Sequence, residues 1–283
     1  MTTELTYTAV VIAYRDIALV QRVIDQLAAQ TLAPSHVLVV DNGGTLQYDA
    51  LDARTLDSGI ELVSRPDNPG YGAAVNEARH TATDAVLVLT HDAVFGSELA
   101  ATLVGTLATR TDAGAIAPVL RWVSAPDRIF SAGGVLTRGG RATHLVVARG
   151  TDPYPVDWVD GAVVLYRRDA LQAVDWLDER YFLYFEDVDT AWRMSRAGLS
   201  TLVAPAAQAR QEPGSHPIRL GIRNMTLFAR RAHIPFPLHV LAVARRIGEH
   251  AAAEILRRRP PGLGDAWRGW RDGRRGIGGT PSP

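Results

Sequence analysis

The chain has 283 residues, of which 47% are hydrophobic, with 30 acidic and 30 basic side chains and no cysteine. This length allows one large domain or two small ones, and it is enough to bury a core. The lack of cysteine excludes a disulfide framework, cysteine-ligated metals and a thiol nucleophile. All 30 basic residues are arginine, so lysine-dependent Schiff-base and P-loop chemistry is excluded too.

The even charge balance conceals an acidic body and a basic C-terminal part. Residues 1–192 carry 14 arginines against 25 acidic residues, and residues 193–283 carry 16 arginines against 5 acidic residues, so the two parts have net charges of −11 and +11. Residues 1–8 lack the pattern of a signal peptide, and no window reaches the ~18 apolar residues of a membrane span. We therefore expect a cytoplasmic protein.

Short apolar runs alternate with helix-period stretches over roughly the first hundred residues. This alternation predicts an α/β fold, with βαβ units around a mainly parallel central sheet flanked by helices. The continuous Val, Leu and Ile content is typical of strands buried on both faces. The predicted strands are Ala9–Ala13, Val37–Asp41, Ile60–Ser64 and Ala85–Thr90, and the predicted helices are Leu19–Ala29, Gly72–Thr81 and Ser97–Thr109.

Polar residues follow three of these strands, as Tyr14-Arg15-Asp16, Asp41-Asn42-Gly43 and Thr90-His91-Asp92. Ligands of open α/β sheets bind beyond the carboxyl ends of the strands, so we expect the three clusters to converge. Taken alone, Asn42-Gly43 also fits a simple turn, and Asp92 fits a capping residue.

The segment Arg65–Asn76 is a glycine-containing loop that leads into a helix. Loop amides and a helix N-terminus can hold an anion such as a diphosphate. The chain has neither the GxGxxG fingerprint nor the GxxxxGK[ST] pattern, which disfavours a dinucleotide-binding Rossmann domain and excludes a P-loop.

The middle of the chain is less regular. Shorter spacing and many glycines predict hairpins or loops over Ala113–Val147, followed by a strand signal over Val156–Tyr166 and a short helix from Arg168. A further helix is predicted over Glu186–Arg196, with Gly198 at its C-terminal cap. The acidic first turn of this helix complements the helix dipole. Alternatively, the neighbouring aromatic residues raise the pKa of a carboxyl toward that of a useful base.

The C-terminal part divides into an amphipathic stretch over residues 236–258 and a basic tail rich in Pro, Gly and Arg over residues 259–283, which we expect to be flexible. The amphipathic stretch either lies on an anionic membrane surface or packs as an ordinary C-terminal helix. No nucleic-acid-binding module accompanies the arginines, so we do not expect a nucleic-acid partner.

Five motifs in order resemble those of family 2 glycosyltransferases of the GT-A fold, over about residues 8–235, and within that family those of bacterial rhamnosyltransferases and related cell-surface polysaccharide enzymes. They are Asp41-Asn42-Gly43, Asn68-Pro69-Gly70-Tyr71-Gly72 with Asn76, Asp92, Gly161-Ala162, and Tyr184-Phe185-Glu186-Asp187-Val188-Asp189. The run Asp178–Asp189 as a whole is similar to an acidic and aromatic run of these enzymes. The segment Arg219–Arg231, with Arg223-Asn224, also resembles a helix that follows the active site in this family, although a basic solvated face is the alternative.

The resemblance implies a GT-A domain over residues 1–235 with a C-terminal helical extension, and it implies specific roles for residues. Asp187 would be the general base, oriented by Glu186, and Asp41 would accept a hydrogen bond from the pyrimidine ring. The implied nucleotide-sugar site comprises Ala13, Tyr14, Arg15, Asp41, Asn68, Gly70, Asn76, His91 and Asp92, and the implied acceptor side comprises Trp158, Asp160, Gly161 and Ala162.

The resemblance also implies a divalent cation, Mg²⁺ or Mn²⁺, with Asp92 as its ligand and His91 as a possible second one. Two positions depart from the family pattern. Thr90 stands where the family has the first carboxylate of its Asp-x-Asp motif, and Gln211 stands where it often has a histidine. A neutral hydroxyl holds Mg²⁺ or Mn²⁺ less strongly than a carboxylate does, so weak or dispensable metal dependence is expected.

The sequence thus predicts an inverting glycosyltransferase of cell-surface polysaccharide assembly. Its donor would be a nucleoside-diphosphate sugar, of the dTDP-rhamnose or UDP-sugar type, and its acceptor a saccharide or a polyprenyl-linked glycan. Contact through the basic C-terminus would place it peripherally on the inner face of the cell membrane. The alternative is a non-catalytic assembly partner that binds nucleotide-sugar or glycan with a degenerate metal site.

Overall fold

A ten-stranded sheet forms the centre of the computed structural model, which describes residues 5–44, 46, 59–214 and 216–281. Its main path runs β10-β12-β6-β11-β4-β1-β2-β3, with β5 paired to β12 and β7 paired to β6, while β8 and β9 form a separate two-stranded sheet. The strands are β1 (Tyr7–Ala13), β2 (His36–Asp41), β3 (Glu61–Ser64), β4 (Ala85–Thr90), β5 (Val94–Phe95), β6 (Ala113–Trp122), β7 (Ile129–Ser131), β8 (Gly134–Leu136), β9 (Ala142–His144), β10 (Tyr154–Val156), β11 (Val163–Arg167) and β12 (Ser200–Gln211).

Helices flank the sheet and extend the C-terminal part. They are α1 (Ile17–Ala28), α2 (Tyr71–Asn76), α3 (Leu99–Thr109), α4 (Arg168–Ala173), α5 (Glu186–Arg196), α6 (Ile218–Arg231), α7 (Phe236–Leu256) and α8 (Leu263–Arg275), with short 3₁₀ turns at Glu77–His80 and Glu179–Tyr181. The Asp16 carboxylate caps α1 by accepting hydrogen bonds from the amides of Ala18 and Leu19 at 3.1 and 3.2 Å. Such a cap satisfies backbone donors that a helix N-terminus leaves open.

The N-terminal half agrees with the predicted strands to within two residues. The central strand β1 pairs in parallel with β2 and β4, and β2 pairs in parallel with β3. Alternate residues of β1 enter the two core layers, with Val11 on one face of the sheet and Val10 on the other. Burial on both faces explains why these strands are continuous apolar runs. The predicted helix Gly72–Thr81 is divided into α2 and the following 3₁₀ turn.

The second half of the sheet is mixed. β11 is antiparallel to both β4 and β6, whereas β6 and β12 are parallel. The expectation of only hairpins or loops over Ala113–Val147 is wrong at its start, because β6 is a ten-residue strand of the main sheet. Its pairing depends on the distant β12, so no local pattern shows it. The remainder of that segment forms the short strands β7, β8 and β9.

The C-terminal tail was expected to be flexible, but residues 263–275 form α8, which packs against α6. Two glycines permit this approach: a Cβ atom on Gly269 would overlap the carbonyl oxygen of Arg219, and one on Gly273 would press on Thr226. Beyond α8, the amide of Gly279 donates to the carbonyl of Arg180 at 2.6 Å. The guanidinium of Arg223 donates to the carbonyl of Gly279 at 2.8 Å.

None of the helices in the described ranges is both long and apolar enough to cross a membrane.

Candidate active site

The polar clusters that follow β1, β2 and β4 meet at the carboxyl ends of these strands, as expected. They line a cleft of about 530 Å³, here named the strand-end cleft. Of the predicted nucleotide-sugar residues, those that line it are Tyr14, Asn68, Gly70, His91 and Asp92. Asn42, Tyr71, Phe182 and Leu183 complete much of the wall.

Four predicted residues are placed differently. Ala13 and Asp41 are fully buried next to the strand-end cleft, and the Arg15 guanidinium stacks on the Tyr14 ring at 4.7 Å. Asn76 is buried, and its side-chain amide donates to the Leu177 carbonyl at 2.9 Å and accepts from the Leu177 amide at 3.1 Å. Asn76 therefore joins α2 to the segment before the second 3₁₀ turn and does not line the cleft.

The loop that closes one side of the cleft depends on a glycine. Gly70 has a φ of +101°, and a Cβ atom at this position would overlap the backbone of Phe182. The next residue, Tyr71, donates its amide to the Phe182 carbonyl at 2.7 Å. Because only glycine allows this approach, the motif brings the loop before α2 against the segment that leads into α5.

Several buried oxygen atoms at the site accept no hydrogen bond from the described residues. In Asp41, Oδ2 accepts from the Leu46 amide at 3.0 Å, but Oδ1 has no partner. Four more buried side-chain oxygens have no hydrogen-bond partner among the described residues: Asn42 Oδ1, Thr90 Oγ1, Glu186 Oε2 and Gln211 Oε1. Unsatisfied buried polar atoms are costly, and their concentration here is typical of a site that a polar ligand completes.

Three carboxylates converge at a second feature, the carboxylate pocket, of about 200 Å³. Asp160, Glu186 and Asp187 line this pocket, together with Tyr71 and Thr90, which also line the strand-end cleft. Burial, followed by the charge of Asp187, raises the pKa of Glu186 to about 8. Burial, followed by the charge of Asp160, raises the pKa of Asp187 to about 7. A carboxyl with such a pKa can exchange a proton near neutral pH.

The backbone before Glu186 is strained and is held by a buried side chain. Phe182, Tyr184 and Phe185 all have positive φ angles, between 64° and 75°. The side-chain amide of Asn224, on α6, donates to the carbonyls of Tyr181, Leu183 and Tyr184, each at 2.8 Å. The neighbouring Arg223 also donates to the Tyr181 carbonyl, at 2.9 Å. Such strain persists only where surrounding contacts hold it, and it is typical of functional sites.

A third feature, the aromatic cleft, shares Asp160 and Asp187 with the carboxylate pocket. It has a volume of about 460 Å³, and Arg141 and Arg246 also line it. Its wall includes a contiguous series of rings, in which Phe130 lies 4.7 Å from His144 and His144 lies 4.8 Å from Trp158. His216 stacks on Tyr184 at 4.4 Å.

The four predicted acceptor-side residues lie around this junction. Trp158 and Asp160 line the aromatic cleft, and Asp160 also lines the carboxylate pocket with Gly161 and Ala162. The Asp160 carboxylate accepts from the Ala162 amide at 2.9 Å. A Cβ atom on Gly161 would overlap the Tyr71 hydroxyl, which donates to the Gly161 carbonyl. The motif thus fixes Asp160 beside Asp187.

The candidate cation ligands have the chemistry of a weak oxygen-rich site. Asp92 and His91 line the strand-end cleft together with Thr90. The Nδ1 atom of His91 lies 3.3 Å from the Ile12 carbonyl, which can only accept, so Nδ1 is the donor in this contact and the Nε2 atom is the one available to a cation when the ring is neutral. Mg²⁺ is commonly bound by one or two carboxylates plus substrate phosphates, and these residues fit that arrangement.

A separate cluster of His36, Glu61 and His80 has ligand atoms within 4.8 Å of one another. Among the described residues it is the only such group of three that has the side chains to hold a metal. His36 and Glu61 begin β2 and β3, so the cluster lies at the amino ends of these strands, away from the strand-end cleft.

Sequence reasoning did not assign roles to Tyr71, His216, Asn224 and Arg246, which the structure brings to the site. Tyr71 and Asn224 belonged to noticed motifs, but their contacts depend on segments far away in the chain. His216 lies near Gln211 but out of register with the family's histidine, and Arg246 belongs to the amphipathic stretch over residues 236–258. They reach the aromatic cleft because α6 and α7 pack beside the hairpin of β8 and β9.

Comparison with known proteins gives the class of this fold and site. Residues 5–226 match the family model described as "Glycosyltransferase like family 2". The chain belongs to this family, and it is a glycosyltransferase.

The chain is similar to a particular relative, an N-acetylglucosaminyl-diphospho-decaprenol L-rhamnosyltransferase of Mycobacterium tuberculosis. The two are 28% identical over 234 residues, which span 69% of this chain and 75% of the relative.

Solved structures agree on the fold, which is that of GT-A glycosyltransferases. GalNAc-T7 with UDP, GalNAc and Mn²⁺ aligns with a TM-score of 0.65 at 12% identity, over 80% of this chain and 48% of that one. A mannosyltransferase of Pyrobaculum calidifontis in complex with GDP-Man and Mn²⁺ aligns with a TM-score of 0.58 at 15% identity, over 97% of this chain and 74% of that one. Glucosyl-3-phosphoglycerate synthase of Mycobacterium tuberculosis, in complex with Mn²⁺, UDP and glucosyl-3-phosphoglycerate, aligns with a TM-score of 0.56 at 18% identity, over 82% of this chain and 81% of that one.

Proposed function

We propose that this glycosyltransferase transfers a sugar, with inversion, from a nucleoside-diphosphate sugar to a saccharide or polyprenyl-linked glycan in cell-surface polysaccharide assembly. The single observation that carries the proposal is the position of the carboxylate pocket. It shares Tyr71 and Thr90 with the strand-end cleft, and it shares Asp187 and Asp160 with the aromatic cleft. The donor occupies the strand-end cleft and the acceptor occupies the aromatic cleft.

The strand-end cleft suits a nucleoside diphosphate. Tyr14 offers a ring face to the base, and Asp41 Oδ1 is an acceptor without a partner among the described residues. A pyrimidine with a ring N–H supplies the matching donor, which favours uracil or thymine over cytosine. In the relative's name the transferred sugar is rhamnose, which supports dTDP-rhamnose as the first donor to test, with UDP-sugars next.

The reaction needs one base and one leaving group. Asp187 faces the aromatic cleft and takes the proton of the acceptor hydroxyl, while that oxygen forms its bond to the anomeric carbon. The bond between the anomeric carbon and the diphosphate breaks, and the nucleoside diphosphate leaves on the opposite face. Glu186 lies deeper, and its raised pKa keeps a proton beside Asp187 at neutral pH, which limits repulsion between the two carboxyls.

A divalent cation, Mg²⁺ or Mn²⁺, would be held by Asp92, with His91 Nε2 as a further ligand. When bound, it neutralises charge that develops on the leaving diphosphate. Thr90 and Gln211, which both line the carboxylate pocket, offer only neutral oxygens, and both oxygens are unpartnered among the described residues. We therefore propose that the cation increases activity and is held weakly in the absence of the nucleotide.

The C-terminal helices support peripheral contact with an anionic lipid surface. The 21-residue helix α7 buries only His239 and Val243, and it leaves Leu241 68% exposed and Ile255 62% exposed. Leu256 and Trp267 are exposed as well, close in sequence to Arg257–Arg259. Exposed apolar side chains together with arginines are typical of interfacial helices. The relative's lipid-linked acceptor is consistent with such a location.

The test measures nucleotide binding and sugar transfer separately. We expect the wild-type protein to transfer sugar from dTDP-rhamnose or a UDP-sugar, whereas Asp187→Asn retains nucleotide affinity and loses transfer. The matched control is Asp127→Asn, which makes the same change at an exposed carboxylate. An equal loss of nucleotide binding in Asp187→Asn would contradict its assignment as the base.

Nucleotide binding without turnover by the wild-type protein, over a panel of donors and acceptors, would favour a non-catalytic nucleotide-sugar-binding partner. The observation behind this second candidate is the pair Thr90 and Gln211, because among the described residues the carboxylates that line the strand-end cleft are then Asp92 and Glu212. Glu212 already accepts from the amide and hydroxyl of Ser124, at 2.8 and 3.0 Å.

Membrane contact is tested with the full chain, because removal of α8 would expose its packing against α6. Replacement of Leu241 and Ile255 by serine should reduce sedimentation with phosphatidylglycerol vesicles and leave sedimentation with neutral vesicles unchanged. Thermal unfolding should shift little, since both side chains are exposed. Unchanged sedimentation would favour an ordinary packing helix.

A further inference from the structure

Arg246, on α7, lines the aromatic cleft and lines neither the strand-end cleft nor the carboxylate pocket. Its guanidinium forms no hydrogen bond or ion pair with any residue in the described ranges, although the side chain is only partly exposed. Burial is the main cause that lowers its pKa. A guanidinium that is partly withdrawn from water and has no hydrogen-bond partner is less well stabilised than a paired one, so this position suits an anion.

The surrounding charges compensate Arg246 only in part, because the charge of Glu249 raises its pKa but less than burial and Arg141 lower it. Glu249 is the acid of this region, and it forms a two-point ion pair with Arg141, at 3.0 and 2.6 Å. Its Oε1 atom also accepts from Arg245 at 2.9 Å. Three guanidinium groups thus share one carboxylate, and Arg141 and Arg245 already occupy it. The charge of Arg141 further lowers the pKa of Arg246.

The aromatic cleft is therefore lined by side chains of opposite charge. Asp160 and Asp187 line it where it adjoins the carboxylate pocket, whereas Arg246 lines the aromatic cleft and neither of the other two features. The rings of Phe130, Trp158 and His216 line it as well. Such a wall suits a sugar ring, with its hydroxyl toward Asp187.

We propose that Arg246, supported by Arg141, binds a phosphate group attached to the acceptor sugar, so that the acceptor is a glycosyl phosphate or diphosphate. This inference rests on the proposed function, because it assumes that the aromatic cleft holds the acceptor. The planar guanidinium fits two phosphate oxygens at once. The relative's name contains a sugar diphosphate, which agrees with this chemistry.

The test measures binding of decyl diphosphate by calorimetry, in the presence of saturating dTDP and UDP to block the strand-end cleft. We expect Arg246→Met to weaken this binding about tenfold or more, as loss of a charge-assisted contact does. The matched control is Arg245→Met, which removes the same charge from the preceding residue of α7. The Arg245 side chain is 71% exposed and paired with Glu249. This control should change the affinity less than about twofold. Arg246→Lys should recover part of the affinity.

A second arm separates the phosphate from the sugar. Octyl N-acetylglucosaminide carries no phosphate, so its binding should be equal in Arg246→Met and in the wild-type protein. Equal binding of decyl diphosphate by the wild-type protein and Arg246→Met would overturn the inference and leave the transferase proposal standing. Failure of the wild-type protein to bind dTDP or UDP would instead overturn the proposed function.

A third arm tests a lipid headgroup as the source of the anion. Sedimentation with phosphatidylglycerol vesicles is measured for both methionine variants. If Arg246→Met alone lost vesicle binding and still bound decyl diphosphate like the wild-type protein, Arg246 would be assigned to the membrane surface and the acceptor site would be refuted. A loss confined to decyl diphosphate binding would support it.

Discussion

Replacement of Asp187 by asparagine should stabilise the folded protein at alkaline pH, although it removes the proposed base. Burial and the charge of Asp160 raise the pKa of Asp187 from 3.8 to about 7 in the folded chain. An acid with a raised folded-state pKa contributes stability that is fully present below its unfolded pKa and is lost as the pH rises through the folded pKa. The free energy of unfolding should therefore fall between about pH 4 and pH 7.

The size of the effect follows from the same pKa. A tenfold change in proton affinity is worth about 1.4 kcal/mol, so ionised Asp187 costs the folded state up to about 4 kcal/mol at high pH. Asparagine has no charge to bury, but its amide also needs partners, so we expect a gain of about 2 to 4 kcal/mol at pH 8.5. This gain corresponds to a rise in Tm of roughly 4 to 8 °C. At pH 4 the gain should vanish.

The assay is urea unfolding at pH 4, 6, 7 and 8.5, with transfer activity measured in parallel. The wild-type activity should increase as Asp187 loses its proton near pH 7, and Asp187→Asn should be inactive throughout. Asp127→Asn should show neither the gain in stability nor the loss of activity. If the stability of Asp187→Asn relative to wild type were independent of pH, burial of this charge would not be the source of its raised pKa, and the argument for a base tuned by burial would be refuted.

Three further outcomes are expected. Asn224→Ala removes three hydrogen bonds to the strained loop, so it should lower the free energy of unfolding by about 2 to 4 kcal/mol. Its kcat should fall far more than its affinity for nucleotide, and a proportional loss of both would contradict a positioning role. Gly269→Ala should lower the Tm, since the added Cβ would overlap the α6 backbone. Gly264→Ala has open space at the Cβ and should raise the free energy of unfolding by up to about 1 kcal/mol. The reverse order of stability would refute the packing argument. Asp92→Asn should abolish the enhancement of nucleotide binding by Mn²⁺ in a thermal-shift assay, and a retained enhancement would exclude Asp92 as the ligand.

The N-terminal half of the fold was predictable because its strands are buried on both faces. Burial of every residue gives β1, β2 and β4 continuous apolar runs, and the polar residues after them mark the edge where the cleft lies. β6 and β11 were harder, since their direction depends on partners that are distant in sequence. Local patterns cannot show whether a returning strand is parallel or antiparallel.

The same distinction holds for the site. Glu186 and Asp187 were predicted because they sit in one continuous motif. Asn76 belonged to a motif too, but its amide is used to join α2 to Leu177. Arg246 was not predicted, because its position in the aromatic cleft depends on the packing of α7 beside Arg141. The glycines of α8 indicated a flexible tail, whereas in the structure they permit close contact with α6.

The contact between Gly279 and the segment before α5 has a consequence for biosynthesis. The strands that line the strand-end cleft lie in the first part of the chain, and domains fold progressively as a chain leaves the ribosome. Arg180 and Arg223 gain their bonds to Gly279 only after that residue has been made. A nascent chain would thus form the strands that end at the strand-end cleft early, and it would complete the support of the segment before α5 last.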